Sequence, residues 1–290
     1  MPPGTDPMSE APGGVLAIVA GRGILPRLIA EDCARRGRPY RVVVFEGVPL
    51  DWLDGHPSIP AIFEKPGRLF SELRAAGCRE ITLAGGMRRP ELNPLRFDLK
   101  LLRLAPKVLS GLKGGDDRTL RLVAEVLEAE GLTLRAPHEI LADLLAPAGI
   151  LGRVAPSEAD RIDAARAAAI VAALGVVDVG QGAVVAQGLC LGVESIQGTD
   201  AMLEFVARTG AAFRPDPAGG RGVLYKGPKP GQDWRVDLPA VGPATLRAAA
   251  AAGLAGVALR AGGALLLGRA ETVAAADAAG LFLWGREADA

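Results

Sequence analysis

The sequence predicts an α/β protein in two parts: a Rossmann-like parallel-sheet domain over 15–150 and a mixed α/β domain over 151–290. Three observations carry this. Short continuous apolar runs, of the kind that form strands buried on both faces, alternate with amphipathic stretches in the first half. Glycines close two of those runs. The 290 residues also exceed one ordinary domain of ~100–150.

The elements follow in order. Residues 1–14 are rich in Pro, Gly and acid, lack the basic-then-apolar layout of a signal peptide, and read as a disordered leader. Val15–Val19 is a buried strand, and Gly21-Arg22-Gly23 turns the chain into a helix over Leu25–Arg36 that Gly37 ends. Tyr40–Phe45 is a second strand and Ala61–Phe63 a weaker third. Arg68–Ala76 is a short helix closed by Gly77, and Glu80–Ala84 is a fourth strand ended by Gly85-Gly86. This alternation is that of an open parallel sheet. Beyond Arg89-Pro90 the pattern is helical over Asp98–Leu112, with a kink at Pro106, then over Thr119–Glu130 and His138–Leu145. The Gly149–Ser157 region marks the domain boundary.

The second domain opens with an Ala-rich helix over Ser157–Leu174, where Ser157 and Asp160 form a capping pattern. Strands are expected at Val176–Val179, Ala183–Ala186 and Cys190–Val193, then a helix over Thr199–Arg208 capped by Thr199. Gly222–Lys226 is a strand, and Pro243–Ala252 a helix with proline in its first turn. Strands at Val257–Leu259 and Ala264–Leu267, a helix over Glu271–Ala279 and a strand at Leu281–Trp284 complete the chain.

Composition excludes several classes. Lys and Arg number 33, as do Asp and Glu, so the net charge is zero and no global field holds nucleic acid or an anionic membrane. An anionic ligand must be met by local cations. No apolar run reaches the ~18–20 residues of a membrane span. Cys33, Cys78 and Cys190 have no metal-ligand spacing and read as buried free thiols of a reducing, cytoplasmic setting. His56 and His138 are too few for a histidine metal site or a Ser–His–Asp triad.

Four groups of residues can carry chemistry. Gly21 and Gly23, with Leu25 opening the helix, form either a tight strand-to-helix turn or a turn that lets backbone approach a phosphate; Pro26 stands where the dinucleotide fingerprint wants a third glycine. Gly85 and Gly86 end another strand of the same sheet, at the edge where ligands bind. Asp116 and Asp117 either cap the following helix or reach a nucleotide or metal. The block Tyr225–Pro239 is dense in charge. As an extended segment it would set Asp233, Arg235 and Asp237 on one face, and Trp234, Val236 and Leu238 on the other. Such a face is either a surface ion-pair ladder or a place for a divalent cation beside a phosphate, with Lys226 and Lys229 adding charge. Finally, Asp178-Val179-Gly180-Gln181 precedes Glu194, a strand-end carboxylate that needs a partner or a cation, and Asp200, which faces a helix dipole. Glu194 with Asp233 and Asp237 makes a hard-oxygen set that suits Mg²⁺ better than Zn²⁺.

At these residues the chain resembles the LpxI family of UDP-2,3-diacylglucosamine pyrophosphatases. The resemblance runs through Leu16–Pro26, Gly115-Asp116-Asp117, Asp178–Gln181, Glu194–Met202, Lys226–Gly242 and Gly280–Phe282, and covers nearly everything from Val15 onward. The block Lys229-Pro230-Gly231-Gln232-Asp233-x-Arg235-x-Asp237-Leu238-Pro239 is its most specific part, while Gln197 stands where an acid is expected. The resemblance implies Mg²⁺-dependent attack of water on the pyrophosphate of UDP-2,3-diacylglucosamine, giving UMP and 2,3-diacylglucosamine 1-phosphate (lipid X) in lipid A synthesis. It implies an N-terminal domain that handles the nucleotide. The expected catalytic residues are Asp233, Asp237, Glu194, Lys226, Lys229 and Arg235, with Asp233, Asp237 and Glu194 on the metal. Substrate contacts are expected from Gly21, Gly23, Leu25, Gly85, Gly86, Asp116, Asp117, Gln181, Thr199, Asp200 and Gln232. The partner expected is the glycolipid nucleotide, with no nucleic acid, no more than peripheral contact at the inner face of the inner membrane, and room for a homodimer. Two other readings stand beside this one. A nicotinamide-dependent oxidoreductase would use Glu46 on the ribose, and a sugar-nucleotide-binding protein would lack turnover.

Overall fold

The computed structural model describes residues 14–87, 90–104 and 116–288. The expected leader apart from Gly14, the kink at Pro106 and the stretch before Asp116 lie outside the described residues, as do the side chains of Asp116 and Asp117. The chain divides into two compact units: residues up to 111 with 122–140, and 112–121 with 141–290.

The first unit holds β1 (Val15–Ala20), α1 (Leu25–Arg35), β2 (Tyr40–Phe45), β3 (Ser58–Ala61), α2 (Pro66–Ala75), β4 (Cys78–Ala84) and a helix over 99–104 (α3). It ends with the part of α4 (Asp116–Ala129) from Leu122 on, β5 (Thr133–Leu134) and α5 (Pro137–Ile140). The strands form a parallel sheet in the order β3-β2-β1-β4-β5, as the alternation of elements predicts. β1 lies between β2 and β4, which explains its unbroken apolar run: Leu16, Ala17, Ile18 and Ala20 are fully buried. The third strand forms at Ser58–Ala61 and not at Ala61–Phe63. It is the sheet edge, so Pro60, which has no N–H to give, is tolerated there. Phe63 instead stacks on Phe45, with ring centroids 4.0 Å apart. The expected helix over His138–Leu145 is the single turn α5.

The second unit holds β6 (Gly149–Ile150), α6 (Glu158–Gly175), β7 (Gly182–Ala186), β8 (Leu189–Val193), α7 (Gly198–Thr209) and β9 (Val223–Lys226). It continues through β10 (Ala240–Val241), α8 (Pro243–Ala251), β11 (Gly256–Arg260), β12 (Leu265–Leu266), α9 (Arg269–Ala278) and β13 (Phe282–Arg286). Its mixed sheet runs β6-β13-β11-β9-β7-β8, with β9, β11 and β13 parallel and β6, β7 and β8 antiparallel at the two margins. Strand residues alternate between two cores. Val184, Leu224, Val257 and Leu283 meet Leu203, Leu246 and Ala276 from α7, α8 and α9. Ala183, Val223, Tyr225 and Ala258 meet Ala164, Ala167 and Val171 of α6. Close packing against the sheet requires the small face of α6, which explains its alanines.

The Ser157–Asp160 capping box is formed in both directions. The expected strand at Val176–Val179 is instead the turn that ends α6. Val179 N–H donates to Leu174 O at 3.2 Å and Asp178 N–H to Gly175 O at 3.1 Å, with Asp178 in the left-handed region at φ 56°. This is a Schellman termination, and aspartate is among the few non-glycine residues that tolerate its left-handed position.

Candidate active site

The glycine turns of the first unit support each other. Gly21 N–H donates to Ala84 O, Arg22 N–H to Gly86 O and Gly86 N–H to Arg22 O, at 2.7–3.1 Å. A Cβ on Gly21 would lie 2.6 Å from two carbonyl oxygens, and Gly85 has φ 86° with its Cβ position 2.3 Å from Arg22 O. Close backbone approach therefore accounts for Gly21 and Gly85, and two of the turn's N–H groups are already used. Gly23 and Gly86 are exposed, and Leu25 is buried in the first turn of α1. Beyond these strand ends lies a cleft of about 300 Å³ lined by Arg22, Glu46, Phe63, Glu64, Met87 and Arg96 among others. It sits where open parallel sheets bind ligands. Glu46, the residue the nicotinamide reading would place on a ribose, pairs with Arg96 at 2.6 Å.

The second unit gathers charge at the carboxyl end of β9. Because β7 runs antiparallel to β9, Gly182 pairs with Lys226, and Gly227 N–H donates to Gln181 O at 3.1 Å. Glu194 follows β8 and donates its N–H to Gly182 O at 2.8 Å. Gly180 and Gly182 permit this convergence: a Cβ on either would lie 2.0 Å from Glu194 O or 2.7 Å from Glu194 Oε2. Lys226 Nζ, on a side chain only 7% exposed, donates to Thr199 Oγ1 at 2.6 Å and to Glu194 Oε1 at 3.3 Å. Thr199 donates in turn to Glu194 Oε1 at 2.7 Å. Thr199 was expected as the cap of α7, but the N-cap is Gln197, which makes no side-chain cap bond. The hydroxyl instead ties the start of α7 to Lys226. Asp200 is exposed in the first turn of α7.

The segment after β9 is a turn-rich loop. Lys229 is buried, and its ammonium pairs with Asp178, which the left-handed end of α6 brings to it. Gly175 makes room, since its Cβ position is 2.7 Å from Pro230 Cδ. Arg121 donates to Gly231 O at 2.6 Å. Asp233 to Asp237 is one helical turn and not an extended strand. Asp233 O accepts from Val236 N–H at 3.1 Å and Asp237 N–H at 3.3 Å. The cause is local: Asp233 Oδ1 also accepts from Arg235 N–H at 3.0 Å, the side-chain-to-backbone bond with which aspartate starts turns. Asp233 and Asp237 therefore do not share a strand face. Val236 and Leu238 are buried as expected, and Trp234 is 42% exposed.

The two aspartates differ in setting. The Arg235 guanidinium bonds both oxygens of Asp233 at 2.7–3.2 Å and holds its carboxyl below the usual carboxylate range. Asp237 Oδ2 accepts from Gln181 Nε2 at 2.6 Å and Gln232 Nε2 at 2.7 Å. Burial pushes the Asp237 carboxyl up all the same, against the Gln181 bond and the charges of Lys229 and Lys226, and the charge of Glu194 adds to the rise. Of the expected catalytic residues, the structure thus brings Glu194, Lys226, Lys229 and Asp237 together and ties Asp233 to Arg235.

A family model for the LpxI N-terminal domain matches residues 15–144, and one for the LpxI C-terminal domain matches 147–284. The UDP-2,3-diacylglucosamine pyrophosphatase LpxI of Caulobacter vibrioides is 39% identical over 270 residues, which cover 93% of this chain and 96% of that protein. The chain belongs to the LpxI family.

The fit of this LpxI-family site to Mg²⁺ can be tested on its oxygens. Among the described residues, no three Asp, Glu, His or Cys side chains form a metal-holding group. Magnesium, however, commonly takes one or two carboxylates together with substrate phosphates. Glu194 Oε2 is buried without a hydrogen-bond donor, though the Lys226 ammonium lies 3.3 Å away, and Gln181 Oε1 is buried without a partner. Both are hard donors beside Asp237, so Glu194 and Asp237 fit a cation that arrives with a pyrophosphate. Asp233, with both oxygens on Arg235, fits less well.

Sequence reading missed three features of the LpxI-family site. The Asp178–Lys229 pair depends on the Schellman turn, although Asp178 lies in a motif quoted for the resemblance. The Lys226–Thr199–Glu194 network joins three strand and helix ends. Arg121 carries no local signal, because the Gly231 carbonyl it bonds is 110 residues away. Cys190 is exposed, unlike the buried Cys33 and Cys78. No helix among the described residues is long and apolar enough to cross a membrane.

Proposed function

We propose that this LpxI-family chain is a hydrolase that cleaves the pyrophosphate of UDP-2,3-diacylglucosamine to UMP and 2,3-diacylglucosamine 1-phosphate, in lipid A synthesis and with Mg²⁺. The observation that carries this reading is the buried pair Lys226 and Lys229 at the end of β9, set against Glu194, Asp178 and Asp237. Two buried ammonium groups beside carboxylates form a fixed cluster of charge, and pyrophosphate cleavage needs such preorganised charge. Lys226 and Lys229 would bind and orient the phosphate oxygens. Asp233, kept ionised by Arg235, would orient the attacking water and accept its proton. Glu194 and Asp237 would hold the magnesium ion, which when bound supplies charge neutralisation of the phosphates. Gly21, Gly23, Leu25, Gly85 and Gly86 line or support the strand ends that would receive the nucleotide, and Asp116, Asp117, Thr199 and Asp200 would complete the substrate contacts. The chemistry needs no histidine.

The test is direct. Purified protein is incubated with UDP-2,3-diacylglucosamine, with Mg²⁺ or with EDTA, and UMP and the lipid monophosphate are measured. Release is expected with Mg²⁺ only, and Asp233→Ala is expected to lower it by about 100-fold or more, as loss of an essential group does. Full release by Asp233→Ala would move the proton-accepting role to Asp237 or Glu194. No release from folded protein with any divalent metal would sink the assignment.

A further inference from the structure

We propose that Gln181 and Gln232 act as positioning residues, whose side-chain amides clamp Oδ2 of Asp237 and leave Oδ1 as the oxygen that works in the reaction. This inference rests on the hydrolase reading above and gives those two glutamines a different part in it from contact with substrate.

The geometry is specific. Both amide nitrogens converge on one carboxyl oxygen, at 2.6 Å from Gln181 and 2.7 Å from Gln232. A carboxyl held by one donor can exchange its two oxygens by turning about Cβ–Cγ. Two donors on the same oxygen stop that turn. Among the described residues Oδ1 accepts no hydrogen bond.

Neither amide can flip. Gln232 Oε1 accepts the Lys229 N–H at 3.0 Å, and a flip would set its NH₂ against that N–H and its oxygen against the carboxyl. Gln232 is itself buried, so no water would relieve the mismatch. A flipped Gln181 would likewise place oxygen against oxygen. The cost of the present arrangement is visible on Gln181, whose Oε1 is left buried without a partner. A buried orphan oxygen calls for an explanation, and the bond of the same amide to Asp237 supplies one.

The clamp is also anchored at backbone level. Gln181 O accepts from Gly227 N–H at 3.1 Å, and Gln232 N–H donates to Lys229 O at 3.3 Å. Gln181 thus also ties down the start of the Gly227–Gln232 loop that carries Lys229, and Gln232 closes the turn at its end. The NH₂ groups that would serve a substrate are turned to Asp237.

The experiment separates positioning from substrate contact. Gln232→Glu, Gln232→Ala and Gln181→Ala are made in the full chain, with Gln232→Glu keeping the side-chain volume. Affinity for uncleaved UDP-2,3-diacylglucosamine is measured by calorimetry in EDTA, and kcat and KM for UMP release are measured with Mg²⁺. The clamp predicts kcat lowered about 10- to 100-fold in each variant, the scale of a misplaced catalytic group, with affinity in EDTA changed less than about twofold. Weaker affinity with kcat retained would make the glutamines substrate contacts and overturn the proposal. Wild-type kcat in Gln232→Glu or Gln181→Ala would overturn it as well. Absence of UMP release by the wild-type protein would mark failure of the hydrolase reading itself.

Discussion

Asp233 and Asp237 lie four residues apart on one turn, yet their surroundings push their carboxyls in opposite directions. Arg235 lowers Asp233, chiefly through its guanidinium bonds, and burial raises Asp237. Such divergence commonly separates the parts that two acids play in one site. Asp233 stays ionised to lower pH than an ordinary aspartate. Its folded-state pKa is depressed, so it adds stability above the unfolded value near 3.9, and that contribution is lost as pH falls through the folded value. Arg235→Gln removes the cause. We expect the acid limb of the kcat/KM profile to move to higher pH in this variant, read from UMP release across pH 4–8. The stability deficit should be present at neutral pH and vanish in strong acid. An acid limb that does not move would mean that Asp233 does not control it. At this scale the sequence was legible where residue types are dense. The Lys226–Asp237 block stands out by composition alone, and so does Glu194 at a strand end. Geometry was less legible: an extended reading of 233–237 fails because Asp233 bonds the Arg235 N–H, and a side chain that bonds its own backbone outweighs alternation.

Strands and helices with strong apolar runs lie within a residue or two of their expected bounds, as β2 and α6 show. The misses have physical reasons. β5, β6 and β10 have two residues each, too few to show a period. Val176–Val179 has strand-forming residues, but the chain there closes α6, and Val176 is 76% exposed. Glycine positions give the sharpest test at this scale. Gly85 needs its positive φ, and a Cβ would meet Arg22 O at 2.3 Å. Gly85→Ala is expected to destabilise the first unit by about 1–2 kcal/mol from the backbone conformation, with the clash added to it. Thermal unfolding of Gly85→Ala beside Gly23→Ala checks this. Gly23 also has a positive φ, 91°, but nothing lies within 4 Å of its Cβ position. Equal losses in the two variants would show that the close approach between the glycine turns contributes nothing.

The chain's division into units is only partly visible in the sequence. The Pro- and Gly-containing Gly149–Ser157 region reads as the domain boundary, and its first residues, Gly149–Ile150, pair with β13 inside the second sheet. Residues 112–121 belong with 141–290, although 122–140 belong with the first unit. No composition signal marks such an interruption, because α4 runs through it as one helix. The arrangement makes a prediction about the fragment 141–290. Both cores of the second unit draw their residues from 146–284, so the fragment contains what its sheet needs to fold. It lacks Arg121, whose bond to Gly231 O holds the loop between Lys229 and Gln232. We therefore expect the fragment to melt cooperatively by circular dichroism and to release no UMP from UDP-2,3-diacylglucosamine. In the full chain, Arg121→Ala should lower kcat/KM by about 10-fold or more, the scale of a charge-assisted hydrogen bond of about 1.5 kcal/mol, without abolishing it. A fragment that fails to fold would show that 112–121 is structural for the whole second unit. A folded fragment with wild-type turnover would show that catalysis needs neither Arg121 nor the first unit.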